Sequence, residues 1–328
     1  MTAPVWAYFA VIGGLLVVLA VDLWIVDRGE AREFSMRQAG YWVTFYVALA
    51  VAFGALLWAT TGPDKAGEFF AGYITEYSLS IDNLFIFFII MSRFAVPRAY
   101  QHKVLLVGIV LALVMRGIFI ALGAAALERF SWLFYVFGAF LLYTAFTIVR
   151  DHLKDEDEDF NENILLRWVR RAFPTTEGYV GSKITAKIDG RRMVTPMLIV
   201  MIAIGSTDLL FALDSIPAIF GLTTDPFIVF TANAFALMGL RQLYFLLGGL
   251  LQRLVYISYG LAFILGFIGV KLISEALHAS GASWAPEIPI WLSLTVIGGT
   301  MVITTVASLI KARVDTRRSE ESSPTRAG

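Results

Sequence analysis

The chain has no cysteine, so it can form no disulfide and offers no thiolate to a metal. Histidine is nearly as scarce. His102, His152 and His278 are the three present, all at span ends or in loops, which leaves the apolar segments without the usual ligands for zinc or copper. Charge is thin too, since only 16% of the 328 residues are Asp, Glu, Lys or Arg. No phosphate loop, nucleophile triad or nucleotide fingerprint occurs. Those absences leave an enzyme reading with nothing to stand on, and no nucleic-acid partner is expected.

What is plentiful is apolar sequence in long runs. Hydrophobic residues make up 58% of the chain and the mean hydropathy is +0.73, a membrane-protein composition. A spanning helix needs about 20 mostly apolar residues. Such runs lie at 5–26, 40–59, 69–91, 104–127, 131–149, 195–219, 227–248, 254–274 and 288–310. The predicted fold is an all-α polytopic membrane protein with about nine transmembrane helices, the bilayer being its first partner. The opening run lacks a basic n-region and is too long for a signal-peptide core, so it reads as retained. Trp6, Trp24, Trp42, Trp58, Trp132 and Trp291 stand near span ends, where an aromatic belt belongs.

Basic residues concentrate in alternate loops. One set carries Arg28, Arg32 and Arg37, then Arg93, Arg98 and Lys103, then nine basic residues between Arg150 and Arg192, and finally Arg253 and the tail from Lys311. The other set has little beyond Lys65 and Arg129. Positively charged flanks stay in the cytoplasm, which predicts an inner (plasma) membrane protein with its N-terminus outside and its C-terminus cytoplasmic. The loop 151–193 opens with "DHLKDEDEDF", read as a solvated linker or a cation-gathering mouth. It continues through "NILLRWVRRAF", which resembles a short interfacial helix. The tail "RRSEESSPTRAG" is expected to be disordered.

Two segments repeat. "TEYSLSIDN" at 75–83 aligns without gaps to "TDLLFALDS" at 207–215, matching Thr75 with Thr207, Glu76 with Asp208, Asp82 with Asp214 and Asn83 with Ser215. Each copy is followed by an arginine, Arg116 or Arg241, and then an aromatic-glycine pair, Phe137-Gly138 or Tyr259-Gly260. Three spans per copy invert the second relative to the first. The expected organisation is two N-terminal helices in 1–68, a first three-helix repeat in 69–150, the cytoplasmic loop in 151–194, a second repeat in 195–275, a last helix in 276–310, and the tail in 311–328.

The repeated acids are the candidate site. An ionised carboxylate at mid-membrane costs at least about 2.5–3.5 kcal/mol, so Glu76, Asp82, Asp208 and Asp214 need a partner, a proton or an ion. Residues six apart on one helix point about 240° apart, so either the helices break or the two acids serve different neighbours. Pro217, Gly205-Ser206 and Gly72 could loosen the helices and free carbonyls. With Thr75, Ser80, Asn83, Thr207 and Ser215, these would form a cage of oxygens suited to a hard divalent cation such as Mn²⁺, Mg²⁺ or Ca²⁺. Arg116 and Arg241 then supply charge balance or gating. Asn233 is a further possible ligand or an interhelical hydrogen-bonding group. The rival reading is a structural network of four acids and two arginines. It leaves a surplus of two negative charges, which buried networks avoid unless protons or a cation fill the gap. Arginines holding an oxyanion are a third reading. The glycines of "FIGV" and "GAF" are expected to permit close helix packing.

The motifs "EYSLSIDNLF", "LRQLYFLL" and "TDLLFALDSIPAIFGLTTDPFIVFTANAFALMGLR" resemble the TerC family of integral membrane proteins over about residues 69–275. That family's name comes from a tellurium-resistance determinant, and its fold is similar to the LysE-type exporters. The resemblance implies an exporter of Mn²⁺ or a similar divalent cation, by alternating access and coupled to protons. It also implies membrane or secreted metalloproteins as partners in metal loading. Its acidic motif positions correspond to Glu76, Asp82, Asp208 and Asp214, followed by Asn83 and Ser215. Many relatives carry a further glutamate where this chain has Gly205, which weakens or alters the divalent site expected here. The competing class is a non-transporting membrane scaffold in tellurite or envelope-stress resistance, and another is an exporter of an oxyanion or amino acid.

Overall fold

The computed structural model describes residues 5–27, 36–130, 132–153, 175–176, 178–188, 191–247, 256–282 and 284–321. They form α1 (Val5–Asp27), α2 (Met36–Thr61), α3 (Pro63–Arg93), α4 (Arg98–Arg129), α5 (Leu133–Leu153), β1 (Thr185–Ile188), β2 (Arg191–Val194), α6 (Pro196–Phe220), α7 (Pro226–Met238), α8 (Leu240–Leu247), α9 (Ile257–Ala279) and α10 (Ile290–Glu321). Eight segments among the described residues are long and apolar enough to cross a membrane, with α7 and α8 together making one of them over Pro226–Leu246. The 23-residue α1 occupies the first expected run, 5–26.

Several boundaries differ from expectation for identifiable reasons. The 31-residue α3 and 25-residue α6 are unbroken, although Pro217 lies inside α6. Proline removes one donor there, but the helix stops at Phe220, and the Gly221 and Leu222 amides close the turn on Pro217 and Ile219 carbonyls at 3.0 and 2.9 Å. Gly72 does not soften α3 either; it sits against Ala232 of α7. The run read as one helix at 227–248 is instead divided at Gly239, directly before Arg241. In the loop between α5 and α6, an antiparallel hairpin pairs Thr185 with Val194 and Ile188 with Arg191. Asp189-Gly190 between the strands is a hairpin signal that could have announced it. The amphipathic stretch at 164–169 lies outside the described residues. Beyond 310, α10 continues to Glu321, so the first part of the expected tail is helical.

The packing has the exchange symmetry that a two-copy core requires. Taking α3, α4 and α5 as one unit and α6, α7–α8 and α9 as the other, α3 packs on α7 as α6 packs on α4, and α5 touches α6 as α9 touches α3. The units also meet through α5 against α9 and α3 against α6. At the α5–α9 crossing, a Cβ on Gly138 would meet the Gly269 carbonyl at 2.9 Å, and one on Gly269 would meet the Gly138 carbonyl at 2.9 Å. The neighbours four residues on are reciprocal too, Ile273 facing Gly138 and Leu142 facing Gly269. This is the isologous pattern of a local two-fold. Both glycines act as the close-packing residues expected of them. The pair matched by packing is therefore Gly138 with Gly269, whereas Gly260, the expected match, faces Thr304 of α10.

Apolar layers flank the middle of this core. One contains Ile90, Leu105, Ala112, Met197 and Ile204. On the other side lies a layer with Ile120, Ala212, Ile216 and Val229. Arg116 on α4 and Asp208 on α6 fall between the two.

Candidate functional site

Arg116 of α4, 1% exposed, is the hub. Its Nη1 donates to Glu76 Oε1 of α3, to Ser215 Oγ of α6 at 3.0 Å and to Asn233 Oδ1 of α7 at 2.8 Å. Its Nη2 and Nε donate to the two Asp208 oxygens at 3.3 and 3.4 Å. A planar guanidinium presents its donors as a fork, which is why one arginine can bind three helices at once. Asp208 and Ser215 are seven apart, two helical turns, and so share a face of α6. Glu76 and Asp208 are the equivalent acids of the two copies, and they converge on a single arginine.

Asp214 does not join them. It is half-buried and accepts from Thr144 Oγ1 of α5 at 3.2 Å. The six-residue spacing is thus resolved by different neighbours and not by a broken helix. Asp82 lies on α3, but its side chain is outside the described residues. Asn83 and Thr207 are buried, and so is Arg241, in α8 just past the Gly239 break. The oxygen cage is therefore smaller than expected. Among the described residues, only Ser215 and the weakly signalled Asn233 join Glu76 and Asp208 around Arg116, and no three acidic or histidine side chains gather as a metal-holding group.

Two features of this cluster carry chemistry. Arg116 brings one positive charge to two carboxylates, so with both acids ionised the cluster, whose groups are at most 3% exposed, carries a formal surplus of one negative charge. Beside it, Glu76 Oε2, Thr75 Oγ1, Ser80 Oγ and Asn233 Nδ2 are buried without a hydrogen-bond partner among the described residues. Buried polar atoms are nearly always paired, so this concentration marks unused polar capacity around Glu76.

Gly205 lies three residues before Asp208, and its place is filled from the neighbouring helix. A Cβ there would come within 2.3 Å of Leu111 Cδ2 of α4, and one on Gly108 within 2.8 Å of Ile204 Cγ2. The two glycines let α4 and α6 close directly beside the cluster.

Sequence reasoning missed the polar contacts at the opposite ends of α3, α6 and α7. Lys65 bonds Glu68 at 2.8 Å and lies 3.6 Å from Asp225. Asp225 caps α7 by accepting from the Phe227 amide at 3.0 Å. Buried Lys271 of α9 donates to the Gly221 carbonyl at the end of α6 at 2.8 Å and to Glu275 at 2.6 Å. A serine, threonine, aspartate or asparagine before proline at a helix start, as in "TDPF", was the available signal for the cap.

A bundle of membrane-crossing helices with a charged cluster sealed at its centre defines a polytopic integral membrane protein. The chain belongs to the Integral membrane protein TerC family, whose model matches residues 61–316. It is 46% identical over 313 residues to an uncharacterized membrane protein of Mycobacterium tuberculosis, covering 91% of this chain and 79% of that one. An uncharacterized membrane protein of Myxococcus xanthus is 41% identical, over 94% of this chain and 92% of the relative. A protein of Escherichia coli K12 bearing the name "Putative membrane-bound redox modulator Alx" is 38% identical, over 92% and 93%. No solved structure matches this chain.

Proposed function

We propose that this protein exports Mn²⁺ or a similar hard divalent cation across the cell inner membrane by alternating access, coupled to protons. The supporting observation is the surplus negative charge at Glu76 and Asp208, held by one arginine between two apolar layers. A lock evolved only for packing gains nothing from an unbalanced carboxylate. A site that must alternately hold a cation or a proton requires one.

In this reading Arg116 is a tethered cation in the place the cargo takes. Cargo enters when Arg116 withdraws, and Glu76, Asp208, Ser215 and the Asn233 carbonyl are the oxygens it finds. The α4–α6 contact at Gly108 and Gly205 is the closed side, and parting it opens the path to the basic loops. In this reading those loops, and with them the C-terminus, face the cytoplasm. All three Arg116 nitrogens are already engaged by protein oxygens, which disfavours an oxyanion cargo. A chain without cysteine also has no thiol with which to act on redox balance directly, so an influence of that kind would run through metal supply. Tellurium and envelope-stress resistance would then follow from metal homeostasis, and secreted metalloproteins would be downstream recipients.

The test is Mn²⁺ flux in proteoliposomes with an imposed pH gradient, comparing the parent with Glu76→Gln and Asp208→Asn. Flux in the parent and its loss in both folded variants is the expected result. A folded, inserted parent that moves no divalent cation would transfer the weight to the scaffold reading.

A further inference from the structure

A second polar and apolar combination lies away from the central cluster, on the lipid side of the α4–α6 contact. A cavity of about 640 Å³ opens between the first half of α4, the first half of α6 and the β1–β2 hairpin. Its floor is aliphatic, from Val107 and Leu111 on one helix and Leu198 and Ile202 on the other. Val107 and Leu111 are 37% and 41% exposed, facing outward. At its mouth stand Lys103 and Lys183, both exposed, with Ser182 accepting from Lys103 Nζ at 2.9 Å. From Lys103 to Leu111 is about 12 Å along the helix, the reach of an upper acyl segment below its headgroup. The surrounding stretches of sequence add Arg93, Arg98, Lys187, Arg191 and Arg192 against Glu177 and Asp189.

We propose that this cavity is a binding site for one anionic phospholipid, its phosphate held by Lys103 and Lys183 and an acyl chain laid along the aliphatic floor. A basic mouth over an apolar slot between membrane helices is complementary to such a lipid in both charge and polarity. A zwitterionic lipid such as phosphatidylcholine offers the same phosphate but adds a quaternary ammonium that the two lysines repel. Inorganic phosphate matches the mouth but not the slot. The Ser182 hydroxyl orients Lys103 across the opening without neutralising it, so both ammonium groups can face one phosphate.

The experiment is native mass spectrometry of the full chain released from detergent containing equal phosphatidylglycerol and phosphatidylcholine of the same chain composition. One bound phosphatidylglycerol is expected, preferred on the order of tenfold over phosphatidylcholine, as two lysines near a phosphate imply. In Lys103→Gln/Lys183→Gln the preference should fall to parity while residual binding of both lipids persists. In Ile202→Trp, which fills the slot and leaves the mouth intact, both lipids should be lost. Circular dichroism and the unfolding temperature verify that each variant is folded, and Lys103→Arg/Lys183→Arg should retain the preference. Equal retention of both lipids by the parent, or an unchanged preference in the glutamine variant, overturns the proposal. Displacement of phosphatidylglycerol by millimolar inorganic phosphate also overturns it, by making this a phosphate site.

Discussion

Replacing Arg116 and replacing Glu76 should have opposite consequences, because they change the central charge in opposite directions. Glu76→Gln leaves an oxygen to accept from Arg116 and removes the surplus charge, so the pair Arg116–Asp208 becomes neutral. Its Oε2 already has no partner among the described residues, so the amide nitrogen loses no bond, and the cost is that of one buried amide donor, about 1–3 kcal/mol at most. Arg116→Gln removes the donors to Glu76, Asp208, Ser215 and Asn233 together and leaves two buried carboxylates facing each other. Stranding one side of a buried ion pair costs roughly 3–5 kcal/mol, a drop of about 5–10 °C in apparent unfolding temperature for a chain of this size. The same variant exposes both acids to a mobile cation. Mn²⁺ at a hundred times its dissociation constant should therefore return about 2.7 kcal/mol, while Glu76→Gln should gain nothing from it. The assay is thermal unfolding in detergent or nanodiscs with and without Mn²⁺, Mg²⁺ and Ca²⁺. Two results would refute the reasoning: Glu76→Gln falling as far as Arg116→Gln, or Arg116→Gln recovering with no divalent cation.

Asp214→Asn should leave stability within about 1 kcal/mol, since Thr144 can donate to an amide oxygen as well as to a carboxylate; unfolding temperature checks this, and flux in the same variant shows whether the cargo's path passes along α5. Two glycine substitutions should separate backbone from side-chain contact. Gly138→Ala meets the Gly269 carbonyl and should cost about 1–3 kcal/mol by forcing α5 and α9 apart, whereas Gly205→Ala meets only the flexible end of Leu111 and should cost less than about 1.5 kcal/mol; equal losses would contradict the assigned crossing. Asp225→Ala removes the cap of α7 and its approach to Lys65, for a loss of about 1 kcal/mol in unfolding measurements, and Asp225→Asn should recover most of it.

The long apolar runs determined by themselves that this chain is a helical membrane protein, because a backbone in lipid must satisfy its own hydrogen bonds within each segment. The matching of 75–83 with 207–215 also marked Glu76, Asp82, Asp208 and Asp214 alike as candidates, since a carboxylate in an apolar run needs a compensating partner. A periodic run cannot say which neighbour each face meets. Asp208 and Asp214 sit on one unbroken helix, and only the packing of α4 on one side and α5 on the other sends the first to Arg116 and the second to Thr144. The copies also differ where the alignment is silent: eight residues before Arg241 stands Asn233, while eight before Arg116 stands Gly108. Asn233 reaches across to Arg116, and Gly108 lets α4 close on α6. Local sequence determined the helices and the acids they carry. The tertiary structure decided which acids share a counter-ion, because that depends on contacts between segments about a hundred residues apart, which no local pattern encodes.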